Sequence, residues 1–162
     1  MNRHFLPLLL YFILCGCRAE SNLYTVVISM DAFRWDYPDV IETPGLNAIA
    51  EDGVRCVMEP SYPASTFPSH YTIATGLVPD HNGIVNGSFW NPDTQETFSM
   101  GDSVTRYNPA HYLGEPIWVT AEKAGVKTAS IYWVGSDVAI EGVLPTYTYP
   151  WWETIAHSGF KH

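Results

Sequence analysis

Residues 24–31 read YTVVISMD, from Tyr24 to Asp31. The run is apolar and β-branched almost without interruption, and it ends in a carboxylate. Such a run predicts a strand buried on both faces, as in a parallel sheet. In open parallel sheets ligands bind beyond the carboxyl ends of the strands, which is where Asp31 falls.

Working outward, Thr43-Pro44 supplies a helix start, with Leu46, Ile49 and Ala50 at helical spacing and Gly53 as the stop. Val54 to Met58 reads as a second strand. Thr66 to Thr75 reads as a short helix with Pro68 near its start and Gly76 closing it. Pro79 to Pro92 is rich in Gly, Asn, Asp and Pro and reads as loop. Glu115 to Ala124 predicts a third helix, closed by Gly125, and Val126 to Trp133 a third strand. The order β-α-β-α-loop-α-β predicts an α/β fold: a doubly wound, mostly parallel sheet flanked by helices.

The 162 residues are 46% hydrophobic and 15% charged, which supports one domain with a real core and excludes disorder. Eight Lys and Arg against 17 Asp and Glu give a net charge of −9. That balance argues against duplex nucleic acid as a partner, since phosphate-backbone binding needs a basic footprint. No GxGxxG follows the first strand and no GxxxxGK[ST] occurs, so dinucleotide and P-loop readings lack their phosphate cradle.

Arg3 and His4 precede an apolar run from Phe5 to Leu14, too short to span a bilayer and suited to a secretory signal. Leu14-Cys15-Gly16-Cys17 is similar to a bacterial lipobox. This predicts a lipoprotein-type signal over residues 1–16, acylation of Cys17, membrane contact through that lipid, and a functional part over residues 17–162. A plain secretory signal with incidental cysteines is the alternative. Either places the protein outside the cytoplasm, in a bacterial envelope or periplasm or secreted. Cys56 is then left alone and is expected to be a buried thiol.

The chemistry gathers in YPASTFPSH, Tyr62 to His70. Thr66 stands at the mouth of a helix whose free N–H groups favour phosphate and negative charge. Its hydroxyl is a nucleophile only with a base or a metal beside it. No base adjoins it in sequence, whereas Asp31 is a hard oxygen ligand suited to Zn²⁺ or Mg²⁺. An ordinary helix-capping hydroxyl is the bland alternative. His70, four residues into the helix, is expected to turn toward packing rather than metal, and His81 to be a surface residue. Trp35, Asp36 and Tyr37 read as anchors of the turn after the strand. The late aromatics Trp133, Tyr147, Tyr149, Trp151 and Trp152 read first as core and cover.

Val26 to Tyr37 (VVISMDAFRWDY) and Tyr62 to Phe89 together resemble the nucleotide pyrophosphatase/phosphodiesterase family of the alkaline phosphatase superfamily. The resemblance continues through GEPIWVTAEKAG, Gly114 to Gly125, and YWVGSDVAIEG, Tyr132 to Gly142. It implies an alkaline-phosphatase-like fold, incomplete at the C-terminus. It implies Asp31 as a zinc ligand, and Thr66 as both zinc ligand and nucleophile. Attack on phosphorus would form a phosphothreonine that water then hydrolyses, with a nucleotide or other small phosphodiester as substrate. Phe67 matches a position whose ring lines the base pocket; a core aromatic is its alternative. The family pattern GIV-x-N-[ST] supplies an Asn donor to the phosphoryl oxygen. Here Gly83 to Ser88 reads GIVNGS, so Asn86 stands one place early and Gly87 takes the aligned position; the resemblance implies Asn86 as that donor if the loop shifts, the alternatives being a lost donor, a backbone N–H in its place, or Asn86 as the turn residue of an Asn-Gly pair. Ala32 replaces the family's usual Gly.

The family carries two zinc ions, and its remaining ligands form Asp-x-x-x-His and Asp-His pairs well downstream. Asp80-His81 comes too early to be one of these. The chain is therefore expected to hold one partial zinc site and to be the N-terminal portion of the catalytic domain, inactive alone. Two alternatives stand: another hydrolase of the superfamily, such as a phosphomonoesterase, or a non-catalytic lipoprotein remnant of the fold.

Overall fold

The computed structural model describes residues 23–150. The expected signal over residues 1–16, Cys17, Trp151 and Trp152 lie outside them. A short helix α1 spans Tyr37–Val40 and is followed by α2, Pro44–Asp52. Thr43 is the N-cap of α2 but forms no side-chain cap; its hydroxyl donates to Asn47 Oδ1 at 3.2 Å. Helix α3 spans Thr66–Thr75 and ends at Gly76, whose φ of 69° is the left-handed conformation that closes helices. Helix α4 spans Pro79–Asn82. Strands β1 (Ser88–Asn91) and β2 (Glu96–Ser99) pair antiparallel, with Phe89 opposite Phe98. Helix α5 (Ser103–Arg106), a 3₁₀ turn (Pro109–His111) and α6 (Ile117–Lys123) follow. Strands β3 (Ala129–Ile131) and β4 (Tyr147–Tyr149) pair in parallel.

The helices expected from the sequence are present at 44–52, 66–75 and 117–123. The strands differ. Residues 24–30 run without a ladder partner and are exposed, Val26 at 77% and Ile28 at 76%. Val54 to Met58 is likewise unpaired and exposed, and Cys56 is an exposed thiol rather than a buried one. The third strand shrinks to three residues. The segment read as loop from Pro79 to Pro92 contains α4 and β1. Among the described residues there are two separate two-stranded sheets, and the doubly wound sheet is not formed. A parallel strand exists only between hydrogen-bonded neighbours, and none here lies beside residues 24–30 or 54–58.

The core sits between α3, the β1–β2 hairpin and α6. Phe67, Tyr71 and Ala74 from α3 meet Ile84, Phe98, Tyr112, Trp118, Val119, Val134, Val138 and Ile140. Aromatic edges dominate: Phe98 stacks on Phe89 at 5.0 Å, and Tyr71 meets Tyr112 edge-on at 5.4 Å. Gly135 turns between those last two rings at φ 80°; a Cβ there would lie 3.1 Å from Tyr112. This packing fixes α3, so the start of that helix is a rigid platform.

Candidate active site

The platform carries Thr66. Ser65, with extended backbone, is the N-cap of α3, and Thr66 is its first residue. The helix start thus presents Thr66 Oγ1 beside backbone N–H groups that carry the positive end of the helix dipole. Thr66 Oγ1 donates to Asp31 Oδ2 at 3.1 Å, closing 35 residues of chain. The other Asp31 oxygen accepts from Ala32 N–H at 3.1 Å. Ala32 has φ 56°, a left-handed residue that turns the chain sharply after Asp31. The turn is anchored as expected: Arg34 pairs with Asp36, and the Arg34 hydrogen bond holds the Asp36 carboxyl below the usual range. Arg55 grips Asp39 and donates to Trp35 O at 3.1 Å.

His70 does not face Asp31. Its Nδ1 lies 2.8 Å from Thr66 O and its Nε2 2.9 Å from Ser29 Oγ. Both nitrogens are engaged and the residue is buried. Ser29 was not anticipated. The signal that would find it is its two-residue spacing from Asp31, matched by the four-residue spacing of Thr66 and His70. His81 is exposed, as expected.

Phe67, expected to line a base pocket, is 2% exposed and packs against Phe98. As the second residue of α3 it points into the hairpin, so in this structure its ring belongs to the core. Asn86 is exposed, in a bend leading into β1. Its Oδ1 accepts from Gly87 N–H at 2.8 Å, which turns the carboxamide and leaves Nδ2 without a protein partner among the described residues. An open cleft of about 460 Å³ adjoins it, walled by Tyr62, Pro63, Val78, Pro79, Asp80 and Val85. The volume lies in the range of small-molecule sites.

Asp31 and Thr66 offer two hard oxygens on one edge of a cation site. Zinc sites take three or four protein donors. Among the described residues no cluster of three His, Cys, Asp or Glu side chains stands ready for a metal. The pair therefore fits one edge of a metal site and does not complete it.

The match to known proteins covers most of this architecture. The family model for type I phosphodiesterase / nucleotide pyrophosphatase matches residues 25–160. The chain belongs to that family. It is 42% identical over 124 residues to mouse ectonucleotide pyrophosphatase/phosphodiesterase family member 3, covering 75% of this chain and 14% of that protein. It is 40% identical over 124 residues to venom phosphodiesterase 2 of Crotalus adamanteus, covering 75% of this chain and 15% of the other. Among solved structures it is similar to murine ectonucleotide pyrophosphatase/phosphodiesterase 5, an inactive threonine-to-alanine variant in complex with AMP. That match has 33% identity and a TM-score of 0.69, covering 76% of this chain and 33% of that one. The resemblance read from the sequence is thus borne out, and with it an alkaline-phosphatase-like α/β fold over the matched part. The chain spans about a seventh of the length of the mouse member 3 relative. No helix among the described residues is long and apolar enough to cross a membrane.

Proposed function

We propose that the protein carrying this chain hydrolyses phosphodiester or pyrophosphate bonds of nucleotides, with Thr66 as nucleophile. The observation that carries this reading is the 3.1 Å contact between Thr66 Oγ1 and Asp31 Oδ2 at the start of α3. The names of the relatives support the reaction class, and the AMP complex of the mouse structure supports a nucleotide substrate.

A carboxylate is too weak a base to ionise an alcohol, so Asp31 orients the Thr66 hydroxyl rather than deprotonating it. Zinc, which Asp31 and Thr66 would hold on one edge together with ligands elsewhere in the family domain, would lower the pKa of the Thr66 hydroxyl so that its proton passes to solvent, and would stabilise negative charge on the phosphoryl group. Thr66 Oγ1 attacks phosphorus as the bond to the leaving alcohol or nucleoside phosphate breaks. Water then hydrolyses the phosphothreonine and regenerates the hydroxyl. The helix start favours the charge that gathers on the phosphoryl oxygens. Asn86 Nδ2 is the side-chain donor assigned to one of them. In the whole protein, residues 24–30 and 54–58 would join β3 and β4 in one doubly wound sheet, and the completed domain would bind two zinc ions.

We also infer export through residues 1–16 and a lipid on Cys17. Mass spectrometry of the mature protein tests it: an unmodified Cys17 or a retained Met1 rejects the anchor.

The test of the function is Thr66→Ala in the full-length protein, assayed on a nitrophenyl phosphodiester and on the matching monoester. Loss of a nucleophile lowers kcat by about 10³-fold or more. Turnover that survives in Thr66→Ala overturns the mechanism. A preference for the monoester moves the protein to a sibling hydrolase of the superfamily. Zinc binding by the wild-type protein with no turnover on either substrate makes it a non-catalytic relative.

A further inference from the structure

Two hydrogen bonds join the extended segment before Ala32 to the first turns of α3. Ser29 meets His70 at 2.9 Å, and Asp31 meets Thr66 at 3.1 Å. The two contacts are commensurate. Residues i and i+2 of an extended chain share a face and are about 6.6 Å apart. Residues i and i+4 of a helix share a face and rise about 6 Å. The segment and the helix therefore run as a ladder with two rungs, and each rung limits the other.

The chemistry of the upper rung is directional. Thr66 O is a carbonyl and only accepts, so His70 Nδ1 donates to it, and in the neutral imidazole Nε2 then accepts from the Ser29 hydroxyl. His70 is held from its other side as well. Trp133 Nε1 donates to His70 O at 3.1 Å, and the two rings meet edge-on at 5.7 Å. Trp133 follows β3, so the imidazole is pinned between the helix, the end of a strand and the segment that carries Asp31. The side chains from Leu23 to Met30 are exposed, and among the described residues these two rungs are what tie the segment to α3.

We infer that His70 is a positioning residue, whose rung to Ser29 sets the separation of the Asp31 carboxylate and the Thr66 hydroxyl. The inference rests on Thr66 being the nucleophile. Without the rung, the Asp31–Thr66 contact alone ties the segment to α3, and the separation of the two groups is less tightly set.

The test uses the full-length protein with Ser29→Ala, Ser29→Thr, His70→Phe and the Ser29→Ala/His70→Phe double variant. Phenylalanine keeps a ring against Trp133 and removes both nitrogens. Readouts are kcat and KM on the nitrophenyl phosphodiester, zinc affinity by chelator competition, and Tm. Ser29→Ala and His70→Phe are each expected to lower kcat by about ten- to a hundredfold, the cost of a misplaced reacting group. Zinc affinity is expected to fall about tenfold, as when a ligand loses its support. KM changes by less than about threefold, because substrate contacts are untouched. Ser29→Thr, which keeps the hydroxyl, recovers kcat, and the double variant loses about as much as either single one, since both cut the same rung.

A wild-type kcat in Ser29→Ala overturns the inference. So does a loss that Ser29→Thr fails to recover, or single losses that multiply in the double variant. If His70→Phe does not fold, the two Ser29 variants decide alone. Thr66→Ala separates the two failures. If it stays active, the nucleophile reading falls and this inference with it. If it is dead while Ser29→Ala is normal, the rung alone falls.

Discussion

Ala32 is the residue with the clearest local cost. Its φ of 56° lies where a Cβ crowds the following carbonyl, a penalty of roughly 1–2 kcal/mol for an L-residue. The position is held because Ala32 N–H closes on Asp31 Oδ1 at 3.1 Å and turns the chain away from the helix. Glycine adopts the same turn without crowding but loses more entropy on folding. Ala32→Gly is therefore expected to raise stability by about 0.5–1 kcal/mol, read from the urea midpoint; an unchanged or lower midpoint contradicts the strain. The sequence displays the exchange of Gly for Ala but not the dihedral that gives it meaning. Phe67 teaches the same lesson from the other direction. A ring next to Thr66 reads equally as pocket wall or core, and in this structure Phe98 packs it into the core.

At the level of elements, Glu122 near the end of α6 ties the helix to both parallel strands. Its Oε1 accepts from Thr128 N and Oγ1 at 2.7 and 2.6 Å, and from Thr146 N and Oγ1, both at 2.8 Å. Thr128 and Thr146 lie just before β3 and β4, so one carboxylate starts both strands in register. The Thr128 hydroxyl bond, then the backbone N–H groups of Thr146 and Thr128, draw the Glu122 carboxyl down to about 2. A carboxyl lowered in the folded state stabilises fully above its unfolded value near 4.5, and that contribution drains away as pH falls toward 2. Glu122→Gln is expected to cost about 1–2 kcal/mol at pH 7. Its chemical-unfolding midpoint should vary less than wild type between pH 5 and 2, roughly the span of that titration; equal slopes for the two proteins would deny the clamp. Helices α2, α3 and α6 were readable because caps, Pro and Gly mark them within one local stretch. Strands were less so, β3 alone falling within a stretch read as one, because a strand is defined by its neighbour. Trp90 and Phe89 sit in a Gly- and Asn-rich stretch and become β1 only through Thr97 and Phe98. β4 hides in a run of aromatics whose partner, β3, pairs with it from eighteen positions earlier.

Across the whole molecule, burial is lopsided. Every residue of the aromatic core lies between Phe67 and Ile140, while Val26, Ile28, Val54 and Met58 stand in water. Thr66, the proposed nucleophile, is half-buried at the start of the helix that feeds this core, and Asp31 lies on the exposed segment. The 162-residue chain alone is expected to bind zinc weakly and turn over little diester, because two oxygens cannot close a tetrahedral site. Equilibrium dialysis returning two tightly held zinc ions per chain, with full activity, would refute this. The same divide carries a consequence for biosynthesis. Contacts close in sequence form first, so α3 and its hairpin can condense early as the polypeptide emerges. The Asp31 segment, born earlier, docks only once α3 stands, because its contact to Thr66 closes 35 residues of chain. The proposed hydrolytic centre is then assembled after the core, and a polypeptide still in transit carries the hydroxyl before its carboxylate partner is docked.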